Sequence, residues 1–305
     1  TTDPTTGIKV HSLYGKTMRP TPEMLRNLDV LVFDIQDIGA RFYTYVATMA
    51  YAMEQAAKSG IPYYVLDRPN PITGVHVEGP LLDADKLSFV GYSRIPLRHG
   101  MTMGELARMF NAENHLGADL TVISMKDWQR GDWFDSTGLP WVDPSPNIRS
   151  LTASILYPGV AMLEYSKNYS VGRGTDAPFE HVGADFIDGP ELATYLNKRL
   201  VPGVRFYPTR LRPTTSNYAG KTIPGVRFVL TSREQFSASR LGLELAAALL
   251  KLYPAKIKLQ DNGKLIGNQE TMDALGRGED PRAIEQRQVS NLEPFLKVRA
   301  KYLMY

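Results

Sequence analysis

An α/β fold is predicted by three features of this sequence. Two short apolar runs, residues 29–34 and 61–67, each end in an aspartate, Asp34 and Asp67. Between them, Val46, Met49, Ala50, Met53 and Ala57 recur at helical spacing from about Tyr43 to Lys58, and Gly60 ends the pattern. The connections are short. Strand, helix and strand joined in this way form a right-handed parallel βαβ unit, and continuous apolar runs suit strands buried on both faces.

The remaining elements extend this reading. Thr102 with Glu105 three residues later forms a capping-box signature and predicts a helix over 103–111. Residues 119–123 read as a third strand. The stretch 128–147 holds Trp128, Trp133 and Trp141 among glycines and prolines and reads as an ordered loop region. A domain boundary is expected near residue 150, giving domains 1–150 and 151–305. The second domain reads as α+β. Helices are expected over 153–165, 191–200 and 237–253, with strand-like runs at 204–208 and 226–230. A loop at 166–178 separates the first two helices, and short helices close the chain.

The totals narrow the function. The 305 residues are 43% apolar and 22% charged, with a formal charge of +3, which is ordinary globular composition. Basic residues are scattered, with Arg205, Arg210 and Arg212 the densest group, and no motif accompanies them, so a nucleic-acid partner is not expected. No stretch approaches the roughly 18 apolar residues of a membrane span. Cysteine is absent, which excludes disulfide and thiolate chemistry. The sequence opens on TTDPTTG, which reads as a mature or trimmed beginning.

Ligands of open α/β sheets sit outside the carboxyl ends of the strands. The loops 36–41 and 68–78 follow two such ends and are expected to border one crevice. Asp34 and Asp37 sit three positions apart there. Arg41 lies within reach of Asp37 across a four-residue turn, a pairing that would lower its pKa and keep it ionised. A glycosidase also needs a carboxyl with a raised pKa, and neither Asp67, Glu78, Glu164 nor Glu180 is marked as one. The dense aromatics, Phe42, Tyr43, Tyr45, Tyr63 and Tyr64 among them, are mostly core residues, although rings lining a cleft would suit a sugar.

Other chemistries find little support. His11, His76, His99, His115 and His181 have no metal-ligand spacing, so neither metal nor cofactor is expected. His99 either packs structurally or borders the crevice. No nucleophile elbow occurs. Ser145, flanked by Pro144 and Pro146, reads as part of a rigid turn that aims Asn147. The segment Gly172–Thr175 lacks the frame of a phosphate loop and reads as a tight turn presenting Arg173 to an anionic or sugar ligand.

Seven stretches then occur in a familiar order: SLYGKTMRPTPEML (12–25), FDIQDIGARFYTYVATMAYAME (33–54), VLDRPNPITG (65–74), VEGPLL (77–82), LRHGMTMGELA (97–107), PSPNI (144–148) and SVGRGTDAPFEHVGA (170–184). Together they resemble the NamZ-type exo-β-N-acetylmuramidases, once a family of unknown function. The resemblance implies a secreted or periplasmic bacterial hydrolase that releases N-acetylmuramic acid from the non-reducing end of peptidoglycan fragments, muropeptides or disaccharides. It implies a Rossmann-like N-terminal domain, a smaller C-terminal domain and a cleft between them. Asp37 is the candidate catalytic carboxylate. Asp34, Gln36, Arg41, Tyr43, Arg68, Asn70, Glu78, His99, Ser145, Asn147, Arg173 and Thr175 are the expected substrate-binding wall, with Arg41, Arg68 and Arg173 competing for the lactyl carboxylate. In the family a Pro-Glu-His-Gly motif precedes the matched region and its Glu is implied as the acid. That motif is absent here, so the acid is expected outside this chain, and an apolar sheet edge is expected where such a segment would pack. The alternative is a non-catalytic cell-wall sugar-binding protein of the same fold.

Overall fold

The computed structural model describes residues 1–305. A one-turn helix α1 (Pro22–Leu25), capped by Thr21, leads to strand β1 (Leu31–Phe33), helix α2 (Tyr45–Ser59) and strand β2 (Tyr63–Leu66). Gly60, at φ 64°, ends α2 in the left-handed conformation that glycine adopts without a Cβ penalty. Strands β3 (Glu78–Leu81) and β4 (Pro96–Arg98) form an antiparallel ribbon. Helix α3 (Met103–Glu113) and strand β5 (Leu120–Ile123) follow. The order β1-β2-β5 is parallel, with Phe33 beside Val65 and Val65 beside Val122.

One face of this sheet is packed. Phe33, Tyr63 and Val65 join Val46, Met49 and Met53 of α2 and Leu106 and Phe110 of α3 in a single core. The other face is open: Val32 is 50% exposed, Leu66 37% and Ile123 49%. The expectation of strands buried on both sides is therefore corrected. Only the face toward α2 and α3 is covered, and the apolar surface lies on the sheet's opposite face as well as along β1, its edge strand.

The second half begins with helix α4 (Leu151–Val160), capped by Ser150, which tightens into a 3-10 turn over Ala161–Leu163. Strand β6 (His181–Gly183), helix α5 (Gly189–Lys198) and strands β7 (Val204–Leu211) and β8 (Ile223–Leu230) build an antiparallel sheet of order β6-β8-β7. Helix α6 (Ala238–Leu252) packs on α4. Four short helices complete the chain: α7 (Gly263–Ile266), α8 (Gln269–Gly276), α9 (Pro281–Ser290) and α10 (Glu293–Ala300).

The two halves share a core. Ile38, Phe42, Ile72 and Leu97 of the first pack in one cluster with Leu156, Val160 and Leu245 of the second. Helix α10 crosses back, burying Phe295 in the first-half core. Arg299 donates to the carbonyls of Gly74 and Gly100, and the Tyr305 hydroxyl donates to Asp67 at 2.8 Å.

Most elements lie where the sequence places them. The run 204–208 extends to Leu211, and the run 226–230 starts at Ile223. The ribbon β3–β4 and strand β6 were not anticipated, since segments of three or four residues are too short to show alternation. No helix is long and apolar enough to cross a membrane.

Candidate active site

At the carboxyl ends of β1, β2 and β5 a crevice of about 580 Å³ is lined by Asp34, Asp67, Arg68, Lys126, Trp128 and Asp132, among others. Arg68 Nε donates to Asp34 Oδ1 at 2.7 Å across the crevice. Of the two loops, only 68–78 lines it, through Arg68 and Pro69, while residues 36–41 lie outside its wall. Asp67 has a bracing role. It accepts from Gly104 N and Thr102 Oγ1, both at 2.7 Å, and fixes the start of α3. A Cβ at Gly104 would lie 2.8 Å from Asp67 Oδ2 and 2.5 Å from Val122 Cγ1, so only glycine fits there.

A second cleft, about 260 Å³, opens between the halves. Its wall includes Tyr43, Tyr45, Ser145, Tyr157, Glu164 and Arg173. The Tyr45 hydroxyl donates to Pro144 O at 2.8 Å and holds the Pro-Ser-Pro turn against α2. Arg173 pairs with Glu164 and lies 5.1 Å from the centre of the Phe179 ring. A guanidinium held beside phenolic rings offers both a carboxylate partner and apolar faces for a sugar.

Behind Tyr43 lies a buried polar cluster. Asp37 Oδ2 accepts from Gly39 N at 2.7 Å, closing a tight turn. Gly39 has φ 82°, and a Cβ there would sit 2.5 Å from Asn70 Oδ1. His99 Nδ1 accepts from Met101 N, which leaves the ring proton on Nε2, 3.8 Å from Asp37 Oδ2. Burial pushes Asp37 up to about 7, against the pull of the Gly39 and Ile38 amides. Burial, then Arg299 and Arg98, push His99 down to about 3. Asp37 Oδ1, the Tyr43 hydroxyl and His99 Nε2 are all buried without a hydrogen-bond partner. Such unsatisfied groups with displaced pKa values concentrate at functional sites.

Residues 1–152 match the family described as exo-β-N-acetylmuramidase NamZ, N-terminal, and residues 155–305 match its C-terminal counterpart. The chain belongs to the NamZ family. It is 47% identical over 306 residues to the peptidoglycan β-N-acetylmuramidase NamZ of Bacillus subtilis (strain 168), spanning 99% of this chain and 74% of the relative. Two crystal structures of DUF1343 family proteins from Bacteroides fragilis have the same fold. One has TM-score 0.92 at 35% identity and the other 0.80 at 28%, each over 100% of this chain and 82% of its own.

The residues expected to line one wall separate into three places in the structure. Tyr43, Ser145 and Arg173 meet in the cleft, and Asp34 and Arg68 meet in the crevice. The others are structural or stand apart. Arg41 is corrected: it is 2% exposed and its guanidinium donates to the carbonyls of Pro80, Ile95, Leu265 and Ile266, joining the halves. It neither pairs with Asp37 nor reaches a cleft. The expected ionised Asp37 is corrected with it, because burial without a cation favours the protonated form. Asn70 is buried and bonds Met101 O and Ile72 N. Glu78 pairs with Arg98 and accepts from Ser237 Oγ and Ser239 N at the start of α6. Gln36 donates to Asp37 O and Pro69 O. Thr175 Oγ1 donates to Gly172 O and lies 2.8 Å from His181 Nε2, bracing the Arg173 turn. His99, open to either reading, is fully buried. Asn147 is half-buried just ahead of α4.

In the cleft, the sequence reading missed Tyr157 and Tyr165, which sit in an apolar helical run and in the turn after it. Glu164 was noted only as a loop carboxylate, since its partner Arg173 is fixed by tertiary packing. No three His, Asp or Glu side chains converge in a metal-binding arrangement.

Proposed function

We propose that this protein is a glycosidase of exo-β-N-acetylmuramidase type. In this reading it acts on peptidoglycan-derived fragments and binds the terminal N-acetylmuramic acid in the cleft between its halves. Family membership across both halves of the chain carries the reading. Since peptidoglycan fragments are generated at the cell wall, we place its action in the periplasm or outside the cell.

Arg173 is the group assigned to the lactyl carboxylate. It lines the cleft with about a third of its side chain exposed, and Glu164 fixes its orientation. Arg68 faces the other crevice, and Arg41 is buried with both its terminal nitrogens on backbone carbonyls. Tyr43, Tyr157 and Tyr165 supply ring surface for the sugar. Asp37 is the candidate catalytic carboxyl of this chain. Burial raises its pKa to about 7, and in its ionised form its charge raises those of Tyr43 and Tyr45 at the cleft wall.

The test uses chromogenic glycosides of N-acetylmuramic acid and of N-acetylglucosamine, which lacks the lactyl group. Arg173→Ala is expected to raise KM for the first by about tenfold or more and to leave the second nearly unchanged. Equal losses on both would remove the assignment of Arg173. Binding of the muramic-acid glycoside without any turnover would remove the glycosidase reading.

A further inference from the structure

The cleft between the halves has an inner and an outer part. Tyr43 and Tyr157 are 7% and 5% exposed, whereas Tyr165 is 43% and Tyr14 52% exposed. Tyr14 is thus the most solvent-facing ring of the wall, and it is the one residue that the stretch 12–25 contributes there. Residues 11–16 form no helix or strand, and all but Leu13 are exposed. Tyr14 is nevertheless held from two sides. Its hydroxyl lies 2.9 Å from Thr44 Oγ1 and 3.4 Å from Thr48 Oγ1, and its ring meets Phe89 edge-on with centroids 5.6 Å apart. Thr44, the residue ahead of α2, makes no side-chain cap bond to the helix, and its hydroxyl meets Tyr14. Tyr14 belongs to neither hydrophobic core. A fixed ring, half in solvent at the edge of a cleft, is a platform for a ligand rather than a support of the fold.

The size and charge of the cleft say what that ring meets. Ligand pockets run from roughly 300 to 1,000 Å³, and this cleft, at about 260 Å³, has room for one amino sugar rather than two. With a terminal N-acetylmuramic acid on Arg173, the sugar attached to it lies at the mouth. The only charged side chains of the wall are Glu164 and Arg173, and they pair with each other. The Tyr14 end therefore suits an uncharged sugar, whose C–H face stacks on an aromatic ring while its hydroxyls stay in water.

We propose that Tyr14 is a substrate-contacting residue whose ring stacks on the sugar at the leaving side of the scissile bond, an uncharged N-acetylhexosamine at the mouth of the cleft. The inner rings hold the terminal sugar, and Tyr14 makes the enzyme prefer a substrate that continues into a second one. The proposal rests on the glycosidase reading and names the next unit of its substrate.

Calorimetric titration of the full chain with two uncleavable ligands tests this. One is the S-methyl β-thioglycoside of N-acetylmuramic acid, and the other is the S-linked disaccharide in which N-acetylglucosamine replaces the methyl group. They differ only in the second sugar. Wild type is expected to bind the disaccharide about fivefold or more tighter than the methyl glycoside. Tyr14→Ala should lose that gain and keep its affinity for the methyl glycoside within about twofold, because the Arg173–Glu164 pair is untouched. Tyr14→Phe, which retains the ring, should keep most of the gain. Equal affinities of wild type for the two ligands would overturn the proposal. So would a Tyr14→Ala variant that keeps the gain, or one that weakens both ligands alike. The natural O-linked disaccharide separates the site from the glycosidase reading. Turnover of it alongside a failed titration removes the Tyr14 site alone, whereas Tyr14-dependent binding without turnover keeps the site and counts against the glycosidase reading. No binding of either ligand would remove both.

Discussion

Asp37 shows what local spacing can and cannot reveal. Its position after an apolar strand and before Gly39 marked a tight turn at a strand end, and the turn is there. The four-residue interval to Arg41 suggested an ion pair, but Arg41 turns inward to carbonyls as far along the chain as Ile266. That partner lies 225 residues away, beyond any local pattern. The result inverts the electrostatics, raising Asp37 from 3.8 to about 7. If Asp37 supplies the proton, kcat/KM falls as pH rises through about 7, and Asp37→Asn lowers kcat by about a hundredfold or more. A pH–rate profile checks both, and a variant with wild-type turnover and the same alkaline limb would leave Asp37 as a turn brace. Stability has its own sign. Since the folded-state value lies above the unfolded one, the stabilising contribution is complete below about 4 and lost as pH rises through about 7. The Tm of Asp37→Asn relative to wild type should therefore increase between pH 5 and pH 8, as thermal melts would register.

At the level of elements, local signatures were readable where the interaction is itself local. Thr102 and Glu105 form the full capping box, with Glu105 N bonded to Thr102 Oγ1 and Thr102 N bonded to Glu105 Oε2. The sequence did not reveal that Asp67 bonds the same Thr102 hydroxyl, because that contact crosses from β2 to α3. Thr102→Ala and Asp67→Asn should each cost about 1–3 kcal/mol by leaving buried polar groups unpaired. Their combined effect in denaturant melts should fall short of the sum, since both remove one shared bond. Strict additivity would mean that the Asp67–Thr102 bond contributes nothing. The ribbon β3–β4 stayed hidden for a related reason: it is held by Arg41 and by the Glu78–Arg98 pair rather than by an alternating pattern of its own.

For the whole molecule, the α/β class was legible from strand and helix patterning, whereas the shared core and the return of α10 were not. The open face of the parallel sheet is a surface property with a direct consequence. Val32, Leu66 and Ile123 form an apolar area of the kind that drives association. At high concentration the 305-residue chain is expected to self-associate, and Val32→Lys/Ile123→Lys to restore the monomer mass in light scattering. Wild-type protein that stays monomeric would show the face to be inert.

The return of α10 also bears on the order in which the molecule assembles. Asp67 reaches Tyr305 across 238 residues, and Gly74 reaches Arg299 across 225. Closing such loops is entropically slow compared with forming the β1–α2–β2 neighbourhood. During synthesis, the β1–α2–β2 neighbourhood emerges well before α10 and waits with its Phe295 socket unfilled until residue 295 has left the ribosome. The parallel sheet therefore reaches its final form only after α10, about 230 residues further on, has been made.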